Sequence, residues 1–357
     1  MASIFDNIPH LQNKVLTKVV NMERPNIAPL AGTRIMPDTD VVSRITEWDR
    51  TYGARLIAPI VAPTTATPLV KGPGADRLQA EAVDMRVKYA IEEKDVLFLM
   101  DPGQRESVSG RSQWANIEKH TLRLKGQVVA RCESLVWDAL TLGRTLYDAT
   151  VDGERLSMRV NYGVPAANIT TATASWNSPG TMSPKADFAK AQGLVRPKTG
   201  RSLKEAWMNT VTYAKLDAAS GLQVTYLNRE SAPRDLIQNE FTTTIINNIR
   251  IVPYDEGHFG LATDADADTH GAGTQTFFIP DDRIVFMVTS TGSDTDGEEF
   301  ADFAVAPSYL ADESVVQGLF GEKFTTFDPT RTYIRVGKVG IPRIYHPDWF
   351  VSMDVTP

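Results

Sequence analysis

The chain has 357 residues, of which 42% are apolar and 23% charged, a globular profile that excludes a largely disordered polymer. Its 37 Lys and Arg against 44 Asp and Glu leave a formal charge of -7, the wrong sign for a protein that grips DNA or RNA through its phosphates. The single cysteine, Cys132, excludes an intrachain disulfide and a cysteine-rich zinc module, and no run of about 18 apolar residues offers a membrane span.

Leu11, Val15, Val19 and Met22 at helical spacing predict a short amphipathic helix, stopped by Pro25 and Pro29. The first thirty residues lack the apolar core of a signal peptide, so synthesis in a reducing cytoplasm is expected. Residues 26–39, rich in Pro, Gly and small side chains, read as an extended arm that gains order by lying on something else. Strand patterns follow at 43–48 and 56–61, but Pro59, Pro63 and Pro68 cannot donate ladder hydrogen bonds and confine such strands to an edge. Lys71, Gly72, Pro73 and Gly74 mark a turn, and residues 80–90 run back with alternation at Val83, Met85, Val87 and Tyr89. The result is a long projecting hairpin. A hairpin alone is marginally stable, so Pro59, Pro63, Pro68, Lys71, Gly72, Gly74, Val83, Met85, Val87 and Tyr89 are its candidate contacts with a neighbouring molecule.

From Ser112 to Tyr147, Trp114, Ile117, Leu124, Val128, Cys132, Leu135, Ala139, Leu142 and Leu146 recur mostly at intervals of three or four. One amphipathic helix of roughly 36 residues would span about 54 Å. Residues 147–162 then form a hairpin around Asp152-Gly153, which supplies the positive φ angles of a tight turn. Beyond it, residues 186–192 and 202–213 are expected as helices, 222–227 as a buried strand, 235–247 as a helix and 249–252 as a strand. Strand patterns at 275–279, 283–289, 332–339 and 349–355 complete the chain. Strands and helices in this irregular order predict an α+β fold.

Little in the sequence carries chemistry. His10, His120, His258, His270 and His346 are never spaced as zinc ligands, and Cys132 falls on an apolar helix face where an inert thiol is expected. Asp264, Asp266 and Asp268 have the alternation of a calcium loop, yet Thr269 replaces the turn glycine and Gln275 the bidentate glutamate. They are weak metal candidates. Catalytic residues and a cofactor are not expected. Between Asp255 and Asp302, twelve acidic residues face one basic residue, Arg283, for a local charge of -11. This asymmetry points to oriented packing or electrostatic choice of partner.

In this order of elements the chain resembles the major capsid proteins of tailed bacteriophages, specifically the lambda-type capsid protein E family with its Hong Kong 97-type fold. Residues 39–48 and 56–61 with the Gly72-Pro73-Gly74 tip resemble that family's extended loop, 80–99 its return strand, and 112–146 its spine helix. Tyr333 to Val336, Gly340 to Pro342 and His346 to Val351 resemble its closing strand pair. The resemblance implies an N-terminal arm at 1–45 and an extended loop at 46–100. It implies a peripheral domain at 101–217 with spine helix 112–147 and hairpin 147–162, and an axial domain at 218–316. Return strands at 317–343 and a C-terminal strand at 344–357 follow. Its implied function is a shell subunit that assembles with copies of itself, as pentamers and hexamers, into an icosahedral head around double-stranded DNA. The implied partners are a scaffolding protein, a portal and a decoration protein, with no membrane. Two alternatives stand beside it: an encapsulin-type bacterial nanocompartment shell, and a metal-dependent enzyme built on Asp264, Asp266 and Asp268 with His258 or His270.

Overall fold

The computed structural model describes residues 12–22, 30–52, 74–91, 109–151, 154–219, 245–259, 275–294, 297–310, 314–327 and 330–356. In chain order the elements begin with helices α1 (Asn13–Val20) and α2 (Ala31–Ile35) and strands β1 (Asp38–Asp40), β2 (Ile45–Tyr52), β3 (Gly74–Glu81) and β4 (Val83–Ile91). The long helix α3 (Ser109–Leu142) leads into the hairpin β5 (Arg144–Val151) and β6 (Glu154–Asn161). Then come β7 (Ile169–Thr171), α4 (Pro184–Thr199), β8 (Glu205–Met208), α5 (Thr210–Asp217), β9 (Ile245–Ile246), β10 (Ile249–Pro253), β11 (Gly257–Phe259), β12 (Gln275–Phe277) and β13 (Arg283–Met287). The last strands are β14 (Ala301–Val305), β15 (Ser308–Tyr309), β16 (Val315–Val316), β17 (Phe320–Phe327), β18 (Thr330–Ile344) and β19 (Phe350–Asp354).

These elements form two compact units. The first comprises Met1–Glu47, Gln79–Val136 and Asp302–Arg343. Its sheet runs β1-β14-β18-β17, and β4 pairs antiparallel with β18 from Val83 opposite Gly340 to Ile91 opposite Thr332. Alternation then decides what each face of β4 touches. Met85 lies 3.7 Å from the Cys132 sulfur and Tyr89 stacks on His120 at 4.4 Å, so this face meets α3. On the other face Lys88 lies 5.7 Å from the Tyr333 ring, which stacks on Phe324 at 5.2 Å. Helix α1 lies against β17 through buried Leu16, Val19 and Val20, and Gly321 permits it, because a Cβ there would come within 3.1 Å of the Leu16 backbone.

The second unit comprises Trp48–Leu78, Trp137–Ala301 and Ile344–Pro357. Its six-stranded sheet has the order β7-β19-β13-β8-β10-β9. Trp137, Trp207 and Tyr254 form an aromatic cluster with centroids 5.5 to 5.9 Å apart, and Phe188 of α4 meets Phe286 edge-on at 4.9 Å. Asp187 is fully buried and fully used: it accepts from the Trp176 indole at 2.9 Å and from the Thr173 amide at 2.7 Å.

The structure departs from the sequence-based expectations at identifiable places. The arm at 26–39 contains a helical turn, α2, because the buried Glu133 carboxylate accepts the Gly32 amide at 2.7 Å where α2 has no cap of its own. The spine stops at Leu142 instead of Tyr147, because Gly143 takes φ 65° and turns the chain into β5. Leu146, expected on the helical stripe, is an exposed strand residue. The helix expected over 202–213 is a strand followed by a helix: β8 is wedged between β10 and β13, and Asn209 caps α5 by accepting the Thr212 amide at 2.8 Å. Residues 245 and 246, expected to end a helix, form β9; most of that expected helix, the strand at 222–227 and the Asp152-Gly153 turn lie outside the described residues.

Because alternate residues of β4 are hydrogen-bonded to β18 of its own chain, the bonded amides between Val83 and Tyr89 should exchange slowly even in isolated subunits. Hydrogen exchange on unassembled protein checks this, and rapid exchange would show that β4 orders only on assembly. Leu135, 1% exposed on α3, should lose about 2–5 kcal/mol of stability on substitution by Ala, read as a lowered denaturation midpoint.

Candidate functional site

The sequence predicts a projecting hairpin, and polar side chains tie β2 and β3, which flank its predicted tip, to the second unit. Trp48 Nε1 donates to the Ile344 carbonyl at 3.2 Å, and the Thr51 amide donates to the Tyr345 carbonyl at 2.9 Å. His346 Nδ1 lies 3.2 Å from both the carbonyl and the hydroxyl of Thr51. Arg50 donates to the Tyr162 carbonyl at 3.3 Å and pairs with Asp76 at 3.2 Å. On the surface, the Arg77 guanidinium hydrogen-bonds Asp49 at 2.9 Å and holds its carboxyl below the usual range.

The Trp349 ring is the centre of this clamp. His346 stacks on it at 4.1 Å with planes 5° apart, and the Arg201 guanidinium lies 4.0 Å from its centroid. Arg201 is buried and ion-paired with Asp294 and, at 2.6 Å, with Glu298. These contacts commit the polar groups to one another. A nucleophile beside a general base is not found among them, and among the described residues no group of three or more His, Cys, Asp or Glu is placed to hold a metal ion. Burial pushes the Cys132 thiol up to about 12, the opposite of an activated nucleophile.

The acidic block from Asp255 to Asp302 is less bare than its charge implies. Asp282 pairs with Lys215, Asp294 with Arg201, and Asp302 bidentately with Arg343, all cations from outside the block. Asp255 accepts the Thr210 amide at 2.6 Å near the start of α5. Three of the block's twelve carboxylates are therefore neutralised from within the fold.

Of the residues singled out in the sequence, Pro59, Pro63, Pro68, Lys71 and Gly72 lie outside the described residues, as do Asp264, Asp266, Asp268 and His270. Gly74 opens β3 in open space, where an added Cβ would meet nothing within 4 Å. Val83 and Val87 are half-buried, while Met85 and Tyr89, expected at a contact with a neighbouring molecule, touch Cys132 and His120 of their own chain. Sequence reasoning missed the clamp, since Thr51, Arg201, Glu298 and His346 share no local pattern.

Burial, opposed by Glu298, lowers the His346 pKa below its ordinary 6.5, so the fold prefers neutral imidazole. The stability this contributes is present above pH 6.5 and lost as pH falls through the lower folded value. Melting temperature should therefore drop across that window more in wild type than in His346→Gln; parallel curves would show that His346 is not the titrating group.

Residues 13–297 match the family model described as phage major capsid protein E. No curated protein matches the sequence. The putative capsid protein of a prophage from E. coli CFT073 has a solved structure similar to this chain, at 16% identity and TM-score 0.57, with 97% of this chain and 99% of that one covered. A phage-related protein from Bordetella bronchiseptica RB50 is 10% identical, with 97% of each chain covered and TM-score 0.49. The SrpI encapsulin of Synechococcus elongatus PCC 7942 is 10% identical, with 94% of this chain and 90% of that one covered and TM-score 0.47. The fold is α+β and Hong Kong 97-like, as in the prophage capsid protein. With the family model matching most of its length, this chain belongs to the phage major capsid protein E family.

Proposed function

We propose that this major capsid protein assembles as pentamers and hexamers that close an icosahedral head around double-stranded DNA. The observation that carries the reading is the family match over residues 13–297, joined to the pairing of β2 with β3 in a two-stranded sheet of their own. Projections of this kind bury surface between subunits, and intertwined contacts make large obligate interfaces. A net charge of -7 lets DNA pack inside without adhering tightly.

In this reading residues 1–45 are an arm, 46–100 the extended loop, and 101–217 with 317–343 a peripheral domain. Residues 218–316 and 344–357 gather at the symmetry axes. The loop meets the adjacent subunit through Pro59, Pro63, Pro68, Lys71, Gly72 and Gly74, with Val83 and Val87 at its return. A scaffolding protein, a portal and a decoration protein complete the particle, which is built in the host bacterium's cytoplasm. The subunit has no catalytic role of its own.

The test is direct. Purified protein, examined by sedimentation and electron microscopy, should give closed icosahedral shells or capsomers; a small soluble oligomer under all assembly conditions would refute the reading.

A further inference from the structure

Where α3 ends and the hairpin β5–β6 begins, the second unit holds a concave cleft of about 340 Å³. Arg144 and Arg283 line it together with Asn161, and Leu142, Val164 and Ile169 supply an apolar wall. No carboxylate is among its lining residues, in a chain that carries 44 Asp and Glu and a net charge of -7. The fold fixes the wall. Gly143 takes φ 65°, and a Cβ there would lie 3.0 Å from the side chains of Val164 and Ile169, so both residues close over the turn because it is glycine.

The polar groups of the cleft are lightly used by the fold. Arg144 is exposed, lies opposite Asn161 in register, and makes no ion pair among the described residues. Arg283 is ion-paired with Asp354 at 3.6 Å, beyond hydrogen-bond length, which leaves its N–H donors uncommitted to that carboxylate. The Asn161 side-chain oxygen accepts the Gly163 amide at 2.9 Å, so its NH₂ group is the part left to donate. Two guanidinium groups on one concave surface repel each other, and a bound anion removes that cost. Shape favours phosphate over carboxylate. A single guanidinium fork satisfies both oxygens of a carboxylate, whereas the terminal oxygens of a phosphate accept from two guanidinium groups and an amide at once. The volume falls at the lower end of the range for organic ligands, roughly 300–1,000 Å³, so the apolar wall has room for what the phosphate is attached to.

We propose that this cleft binds a terminal phosphate carried on a compact, partly apolar body, of which a nucleoside monophosphate is the type. Arg144, Arg283 and Asn161 hold the phosphate, and Leu142, Val164 and Ile169 cover the body. Such a group reaches the cleft from a free nucleotide or from the phosphorylated 5′ end of a DNA strand. All of the residues belong to one unit of one chain, so the site does not depend on the shell-subunit reading.

Calorimetric titration of the purified chain with thymidine 5′-monophosphate should show saturable binding, about tenfold tighter than that of thymidine, which lacks the phosphate, and tighter than that of inorganic phosphate, which lacks the body. Arg144→Gln and Arg283→Gln should each weaken it about tenfold. Arg144 is exposed, so its variant should keep the wild-type melting temperature and decides the matter if Arg283→Gln does not fold. Arg159→Gln, opposite Leu146 on the same hairpin face but outside the cleft, should leave the affinity within about twofold, because a built site differs from a diffuse positive field. Ile169→Ser should narrow the advantage of the nucleotide over inorganic phosphate. DNA duplexes of one sequence with a 5′-phosphate or a 5′-hydroxyl separate the sources: preference for the phosphorylated duplex assigns a strand end, and binding of the mononucleotide alone assigns a free nucleotide. Equal binding of both duplexes would show contact with the phosphodiester backbone and overturn the terminal-phosphate site. Absence of saturable binding, thymidine binding as tightly as its monophosphate, wild-type affinity in Arg144→Gln, or an equal loss in Arg159→Gln would each overturn it as well.

Discussion

Backbone pairing along β18 is the constraint on which the first unit depends. This strand of 15 residues is bonded to β17, β14 and β4, so the three strands hold their places in the sheet through it. Its pairing with β4 fixes which side chains face α3. A slip of one residue would turn Met85 and Tyr89 away from Cys132 and His120 and bring Arg86 and Lys88 against the helix. Two cations would then be buried on an apolar stripe, at a cost far above that of the lost pairing. Side-chain chemistry thus sets the register, and the register sets the unit.

In the second unit the clamp that holds β2 combines two kinds of force. The Thr51 amide and the Trp48 indole give position, and the stack of His346 and Arg201 on Trp349 buries area. A buried guanidinium is costly unless paired, and Arg201 meets that requirement through Asp294 and Glu298.

The charge distribution illustrates how composition can mislead. The block from Asp255 to Asp302 has the highest density of carboxylates in the chain, yet Lys215, Arg201 and Arg343 arrive from distant positions to neutralise three of them. Only contacts between residues far apart in sequence could reveal this.

By itself the sequence determined the spine helix, the alternating strand β4 and the order of elements that resembles a phage capsid protein. Each is written in local periodicity or turn chemistry, which short-range sterics enforce. Tertiary structure decided the rest. It made 205–208 a strand by placing it between β10 and β13, made 31–35 a helix through a carboxylate about a hundred residues away, and ended the spine at Gly143. It also turned Met85 and Tyr89 inward and assembled Thr51, Arg201, Glu298 and His346 around Trp349. None of these has a local signature, because the free energy that selects them comes from partners the chain brings together only on folding.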